Sequence, residues 1–178
     1  MEKIATSFCS FEGLVTKYTY VDKTDMLWRL VSDSTDRLFF ISRPRRFGKS
    51  LMLDTLKCIF EGRRELFRGL KIEKKKYDWK KYPVVMLDMS ELKGETPDEL
   101  KENLRQKVAR LAGAFGCPDV APVASPGAYF GAFLDALYAK RGEYVVLVDE
   151  YDVPLQGFLR DRAAVKRVRS ILHDFNVQ

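Results

Sequence analysis

The sequence predicts a three-layer α/β fold, a parallel sheet flanked by helices, on three observations. Two apolar runs, Leu38-Phe39-Phe40-Ile41 and Tyr144-Val145-Val146-Leu147-Val148, read as buried strands. Each leads into a polar segment, and in open α/β sheets chemistry collects at the carboxyl ends of strands. Between the runs lie stretches with apolar residues at helical spacing, which alternate with strands as a parallel sheet requires.

In chain order, the first segment is an arm from Phe8 to Lys23 with Phe8, Phe11, Leu14, Tyr18 and Tyr20. These aromatics either pack into the core or cover the base edge of a nucleotide. Asp22 or Thr24 is expected to cap a helix over Asp25 to Ser32, whose apolar residues are Met26, Leu27, Leu30 and Val31. Residues 1–35 form this arm and helix, and 36–178 form the core of a single expected domain.

Leu38 to Ile41 is the expected first strand. A basic loop follows, Arg43 to Phe47, and then Gly48-Lys49-Ser50 opens a helix with Leu51, Leu53, Leu56, Ile59 and Phe60. Strand, loop, Gly-Lys-Ser, helix is the layout of a phosphate-binding P-loop. The helix start offers amide donors and a partial positive charge to an anion. Gly48 lets the backbone approach phosphates, Lys49 reaches the β and γ oxygens, and the Ser50 hydroxyl holds Mg²⁺. Arg43 stands where the general motif has its first Gly, and Pro44 biases Arg43 towards extended backbone.

The helix is expected to stop at Glu61-Gly62, with Gly as the C-cap. Residues 63–82 mix Lys74-Lys75-Lys76 and Lys80-Lys81 with Phe67 and Trp79. They read as a solvated connector with its aromatics tucked inward, or else as a nucleic-acid surface. Pro83 to Asp88 is a second strand, with Asp88 either supporting a site or capping the next turn. Thr96-Pro97-Asp98-Glu99 is a strong helix start, and that helix runs to about Ala114. A Pro- and Gly-bearing loop over 116–127 follows. The next helix, about Pro126 to Lys140, carries a core stripe of Tyr129, Phe130, Phe133, Leu134 and Leu137.

The strand from Tyr144 ends in Asp149-Glu150. An apolar strand ending in Asp is a Walker B element: the Asp reaches the Mg²⁺ shell, and Glu150 polarises an attacking water as general base. A last helix spans about Arg162 to Phe175. It has Arg162, Lys166 and Arg169 on one face and Val165, Val168 and Leu172 on another. Arg160 or Arg162 is an arginine finger or part of a solvated face. Two motifs in the right order, each on the right element, carry more than either alone.

Tyr20-Val21-Asp22-Lys23-Thr24, the run from Phe40 through Leu51, Tyr82-Pro83-Val84-Val85 with Leu87-Asp88, and Val148-Asp149-Glu150-Tyr151-Asp152-Val153-Pro154-Leu155 together resemble the AAA-ATPase-like family. The resemblance covers about residues 7–160. Arg43 matches the family's own Ser-Arg-Pro-Arg-Arg-Phe-Gly-Lys-Ser form. The resemblance implies ATP binding, and Mg²⁺-dependent hydrolysis in the complete protein. It also implies that a PD-(D/E)XK nuclease-like domain commonly follows. It predicts the sheet order 5-1-4-3-2, and no apolar strand follows Phe175 to supply the fourth strand. The chain is therefore expected to be an N-terminal fragment, its sheet incomplete after the Walker B strand.

Composition sets the remaining bounds. The 178 residues suffice for one core, and 46% hydrophobic with 31% charged residues is a soluble, globular balance. No run approaches a membrane span, and the N-terminus lacks the apolar core of a signal peptide. Cys9, Cys58 and Cys117 are too few and too dispersed for a disulfide framework or zinc site, so a cytoplasmic protein is expected. A single histidine, His173, excludes His-rich metal sites. The net charge of +6 suits an anionic ligand.

The site expected from these readings has Lys49 and Glu150 as catalytic residues. The phosphates lie on Arg45, Arg46, Phe47, Gly48, Lys49, Ser50 and Leu51, and Mg²⁺ lies on Ser50 and Asp149. The ligand is MgATP. Two other readings stay open: a nucleotide-dependent switch or scaffold with negligible turnover, and a nucleic-acid-binding module.

Overall fold

The computed structural model describes residues 10–32, 38–41, 47–118 and 125–176. The chain divides into two compact units, Met1–Val84 and Val85–Gln178.

In the first unit, Ser10 caps α1 (Phe11–Lys17) by accepting from the Gly13 N–H at 3.2 Å. The second helix, α2, spans Thr24–Ser32. Asp22 is its anchor: one carboxylate oxygen accepts from the Thr24 amide at 2.9 Å and the Thr24 hydroxyl at 2.7 Å. Its other oxygen accepts from the Lys71 amide at 2.7 Å, while the Thr24 hydroxyl accepts from the Ile72 amide at 3.0 Å. The Asp-x-Thr sequence thus starts a helix and ties down a segment nearly fifty residues away.

Helix α3 spans Lys49–Phe60 and buries Met52, Leu53, Leu56 and Ile59. Burial of a Leu or Ile side chain contributes about 1.5–3 kcal/mol. The helix ends as Gly62 predicts. With φ at 68°, Gly62 turns the chain so that its N–H reaches the Ile59 carbonyl and the Arg63 N–H reaches Cys58. This is the Schellman arrangement, which satisfies carbonyls the helix leaves open. Two short 3-10 turns, Arg64–Phe67 and Lys71–Lys74, make up much of the connector. Its aromatics point inward: Phe67 is fully buried and packs on Phe11 at 4.8 Å and Trp79 at 5.1 Å.

In the second unit, β1 (Val84–Asp88) and β2 (Val145–Asp149) form a two-stranded parallel sheet. Helix α4 spans Pro97–Ala114, with the Thr96 hydroxyl accepting from the Glu99 amide at 3.2 Å. Helix α5 spans Pro126–Arg141, a short α6 spans Val153–Gln156, and α7 spans Arg162–Asn176. Val85, Leu87, Leu100, Leu104, Val108, Phe133, Leu137 and Val168 form the dry core. Phe130 stacks on Phe175 at 4.5 Å, joining α5 to α7. The unit is helix-rich α/β, and its β1–β2 pairing is the neighbour relationship expected of the second and third strands.

One expected element differs. Residues 38–41 form no strand, and Leu38, Phe39 and Phe40 are exposed, Leu38 by 92%. An apolar run becomes a buried strand only when neighbouring strands take up its backbone groups. Among the described residues, the sheet contains β1 and β2 alone.

Candidate functional site

Helix α3 opens on Gly48, which stands in the left-handed region at φ 72° and ψ 29°. A Cβ there would meet nothing within 4 Å, so the glycine is required by backbone conformation and not by space. Gly48 brings no side-chain acceptor to the helix start. Lys49, Ser50 and Leu51 follow in the first turn, half-buried, after an exposed Phe47. An anion at this end meets amide donors, the positive end of the helix dipole and a lysine. Arg45 and Arg46, the other expected phosphate-binding residues, lie outside the described residues, as does Arg43.

The opening turn stands on a well-held helix. Below it the Thr55 hydroxyl, buried, donates to the Leu51 carbonyl at 2.7 Å. Asp54 accepts from the Phe11 N–H at 2.6 Å, across 43 residues of sequence. Phe11 is fully buried and touches Tyr20 and Phe67. This bond ties α1 to the helix that carries Lys49. Sequence reading did not single out Asp54, whose only local sign is that it is the one acidic residue of α3.

In the second unit, β2 delivers Asp149 to its carboxyl end. The side chain is only 5% exposed. Its Oδ1 accepts from the Glu150 amide at 2.9 Å, and its carbonyl accepts from the Met89 amide at 3.0 Å. Glu150 has φ at 52°, left-handed backbone that a side chain occupies at a cost of about 1 kcal/mol. The chain then turns, with the Val153 N–H bonded to the Glu150 carbonyl at 3.0 Å, into α6. A buried carboxylate followed by a half-buried one in strained backbone is a fixed pair of acids at a strand end. Asp88, at the end of β1, accepts from the Ser90 amide at 2.8 Å and so caps its own turn.

Lys75 lies over the Trp28 ring at 5.0 Å, and Lys80 lies over Tyr82 at 4.8 Å. The aromatics of the connector are therefore engaged in packing and in cation–π contact within the fold. Arg160, Arg162, Lys166 and Arg169 are all exposed, as is His173. Cys58 and Cys117 are buried free thiols, and Cys9 lies outside the described residues. Among the described residues, no helix is long and apolar enough to cross a membrane, and no three His, Cys, Asp or Glu side chains group as a metal cage.

Comparison with known proteins adds identity to this geometry. The chain is 36% identical over 167 residues to an uncharacterized protein in the vnfD 5' region of Azotobacter chroococcum mcd 1. The match takes in 88% of this chain and 30% of that protein, so the chain spans under a third of the length of this relative. No solved structure matches the chain. The family model described as Predicted AAA-ATPase matches residues 6–177, a span that includes the Gly48 helix start and the Asp149-Glu150 strand end, and the chain belongs to the AAA-ATPase-like family.

Proposed function

We propose that the chain is a P-loop ATPase-like domain, residues 1–178, that binds MgATP and contributes to ATP hydrolysis. The observation that carries this reading is the start of α3: a left-handed Gly48 with no capping side chain, followed at once by Lys49 and Ser50. Membership of the family supports it. In this reading β1 and β2 are two strands of the larger parallel sheet of a three-layer α/β fold.

Each residue's role follows from its chemistry. The backbone from Phe47 to Leu51 donates to phosphate oxygens, and the Lys49 ammonium neutralises charge on the β and γ groups. Arg45 and Arg46 add positive charge beside the γ-phosphate. Ser50 and Asp149 would hold Mg²⁺, the latter directly or through water. The donor set fits, because Mg²⁺ is bound by one or two protein oxygens together with waters and phosphate oxygens and needs no protein cage. When bound, the ion would supply positive charge that offsets that of the phosphate groups. Glu150 takes a proton from the attacking water as its oxygen bonds to the γ-phosphorus, and ADP departs. The strained backbone of Glu150 limits where that carboxylate points, as a general base requires.

Calorimetric titration of MgATP into the chain and into Lys49→Ala tests the reading. Saturable binding by the wild type and its loss in the variant are expected. A folded wild type that takes up no MgATP would sink it. Glu150→Gln is expected to keep binding while turnover falls on the order of 10²–10⁴-fold. A measurable wild-type rate unchanged in that variant would favour a nucleotide-dependent switch or scaffold.

A further inference from the structure

Helix α7 turns Ala164, Val168 and Phe175 into the core of its unit. Arg162, Lys166, Arg169, Ser170 and His173 fall on the opposite side, at the three- and four-residue steps that align on one helix face. Between this face and the segment that follows Glu150 runs an open groove of about 580 Å³. Its half-buried apolar lining is Leu155 from α6 and Leu172 from α7, with Tyr151, itself 42% exposed, beside them. The exposed Lys166, Arg169 and His173 line it too. Among the described residues, the ion pair of α7 runs from Arg167 to Asp98 at 2.7 Å and leaves Lys166 and Arg169 without an acidic partner. Asp152, the acid in the lining, accepts from the Gln156 side-chain Nε2 at 3.1 Å.

We propose that this groove docks an acidic amphipathic segment of a partner protein. Two observations select that occupant. The apolar lining rewards aliphatic side chains, and the Lys166–Arg169 edge rewards carboxylates one helical turn apart. A polynucleotide would set its phosphates against Leu155 and Leu172 and leave that apolar lining unmatched. A second copy of this chain brings a net charge of +6 to a cationic edge. The groove's lining starts at Tyr151, the residue after Glu150. The inference stands on the groove itself and does not require nucleotide binding.

The test uses a fluorescent amphipathic peptide of about 15 residues, long enough for marginal helicity, with Leu at every third or fourth position and Glu between. The chain is titrated into it at low salt. Saturable binding is expected, weakening as salt rises. It should weaken at least about tenfold in the double variant Lys166→Glu, Arg169→Glu, and likewise in Leu172→Ser. Lys49→Ala should bind the peptide as the wild type does, which separates this result from the fate of the nucleotide reading. The reversed side chains are exposed, and a thermal melt of each variant checks that the fold is retained. The proposal is overturned by absence of saturable binding or by unchanged binding in the double reversal. It is also overturned by a thymidine oligomer binding as tightly as the peptide, or by self-association of the chain that the double reversal abolishes.

Discussion

The Glu150 amide donates to the Oδ1 of Asp149, its own neighbour, at 2.9 Å, and it does so from left-handed backbone at φ 52°. The bond and the strain are one device: the turn that closes onto the buried carboxylate is what forces Glu150 out of the ordinary regions. A site that holds two carboxylates at a strand end in this way gives up stability locally.

That cost is measurable. Glu150→Gly and Glu150→Ala both remove the carboxylate, and they differ only in the freedom of the backbone. Glu150→Gly is expected to be more stable than Glu150→Ala by about 1 kcal/mol in urea denaturation. Equal stability, or a glycine variant that is the weaker, would show that the native turn carries no strain. On the proposed ATPase reading both variants also lose turnover, while Glu150→Gln keeps the wild-type fold.

The bond between Asp54 and Phe11 leads to a second expectation. The carboxylate faces the first amide of α1, where the helix dipole favours negative charge. Asp54→Ala removes the acceptor from the N–H of a buried residue and should destabilise the chain by about 1–2 kcal/mol. Asp54→Asn keeps an oxygen acceptor without the charge and should cost less. Denaturant midpoints at constant slope check the order wild type, Asn, Ala. If Asp54→Ala matches the wild type, α1 is held by Phe11 packing alone.

What the sequence made legible, and what it did not, follows from how far apart the interacting groups lie. The start of α4 at Thr96-Pro97, the cap at Gly62 and the inward stripe of α5 are decided within one or two turns, and each stands where its local pattern puts it. Gly48-Lys49-Ser50 and Asp149-Glu150 were legible for the same reason, since a helix start and a strand end are local features. The clamp from Asp54 to Phe11 and the staple from Asp22 to Lys71 join residues over forty positions apart, and no periodicity announces them. Residues 38–41 show the reverse failure. Their composition is that of a buried strand, but burial is conferred by neighbours, and an apolar run carries no record of whether they are present.

The Asp22 staple makes stability pH-dependent. Partial burial pushes its carboxyl up, but the hydrogen bonds from the Thr24 hydroxyl and amide and the Lys71 amide outweigh this and hold it below its ordinary value of 3.8. A group lowered on folding contributes stability that is fully present above the ordinary value and disappears as pH falls through the lowered one. Stability should therefore drop on acidification below about pH 4, and Asp22→Asn should flatten that part of the profile. Melting curves of both proteins from neutral to acidic pH decide it. Parallel profiles would mean that Asp22 is not among the groups responsible.

Cys58 gives the matching expectation on the alkaline side. Burial, aided by the nearby Asp54 carboxylate, pushes the thiol up from 9.0 to about 11. Alkylation requires the thiolate, so native Cys58 should resist iodoacetamide at pH 8 and react only through opening of the fold. Mass spectrometry of peptides after timed labelling reads this directly, with the urea-unfolded chain as the fast reference. The same shift carries a sign for stability. The unfolded thiol ionises above 9.0 while the folded one stays neutral until about 11, so its contribution is complete below 9.0 and is lost as pH rises towards 11. Cys58→Ala should reduce the steepness of alkaline destabilisation. Rapid labelling of Cys58 in the native chain at pH 8 would contradict the burial on which both expectations rest.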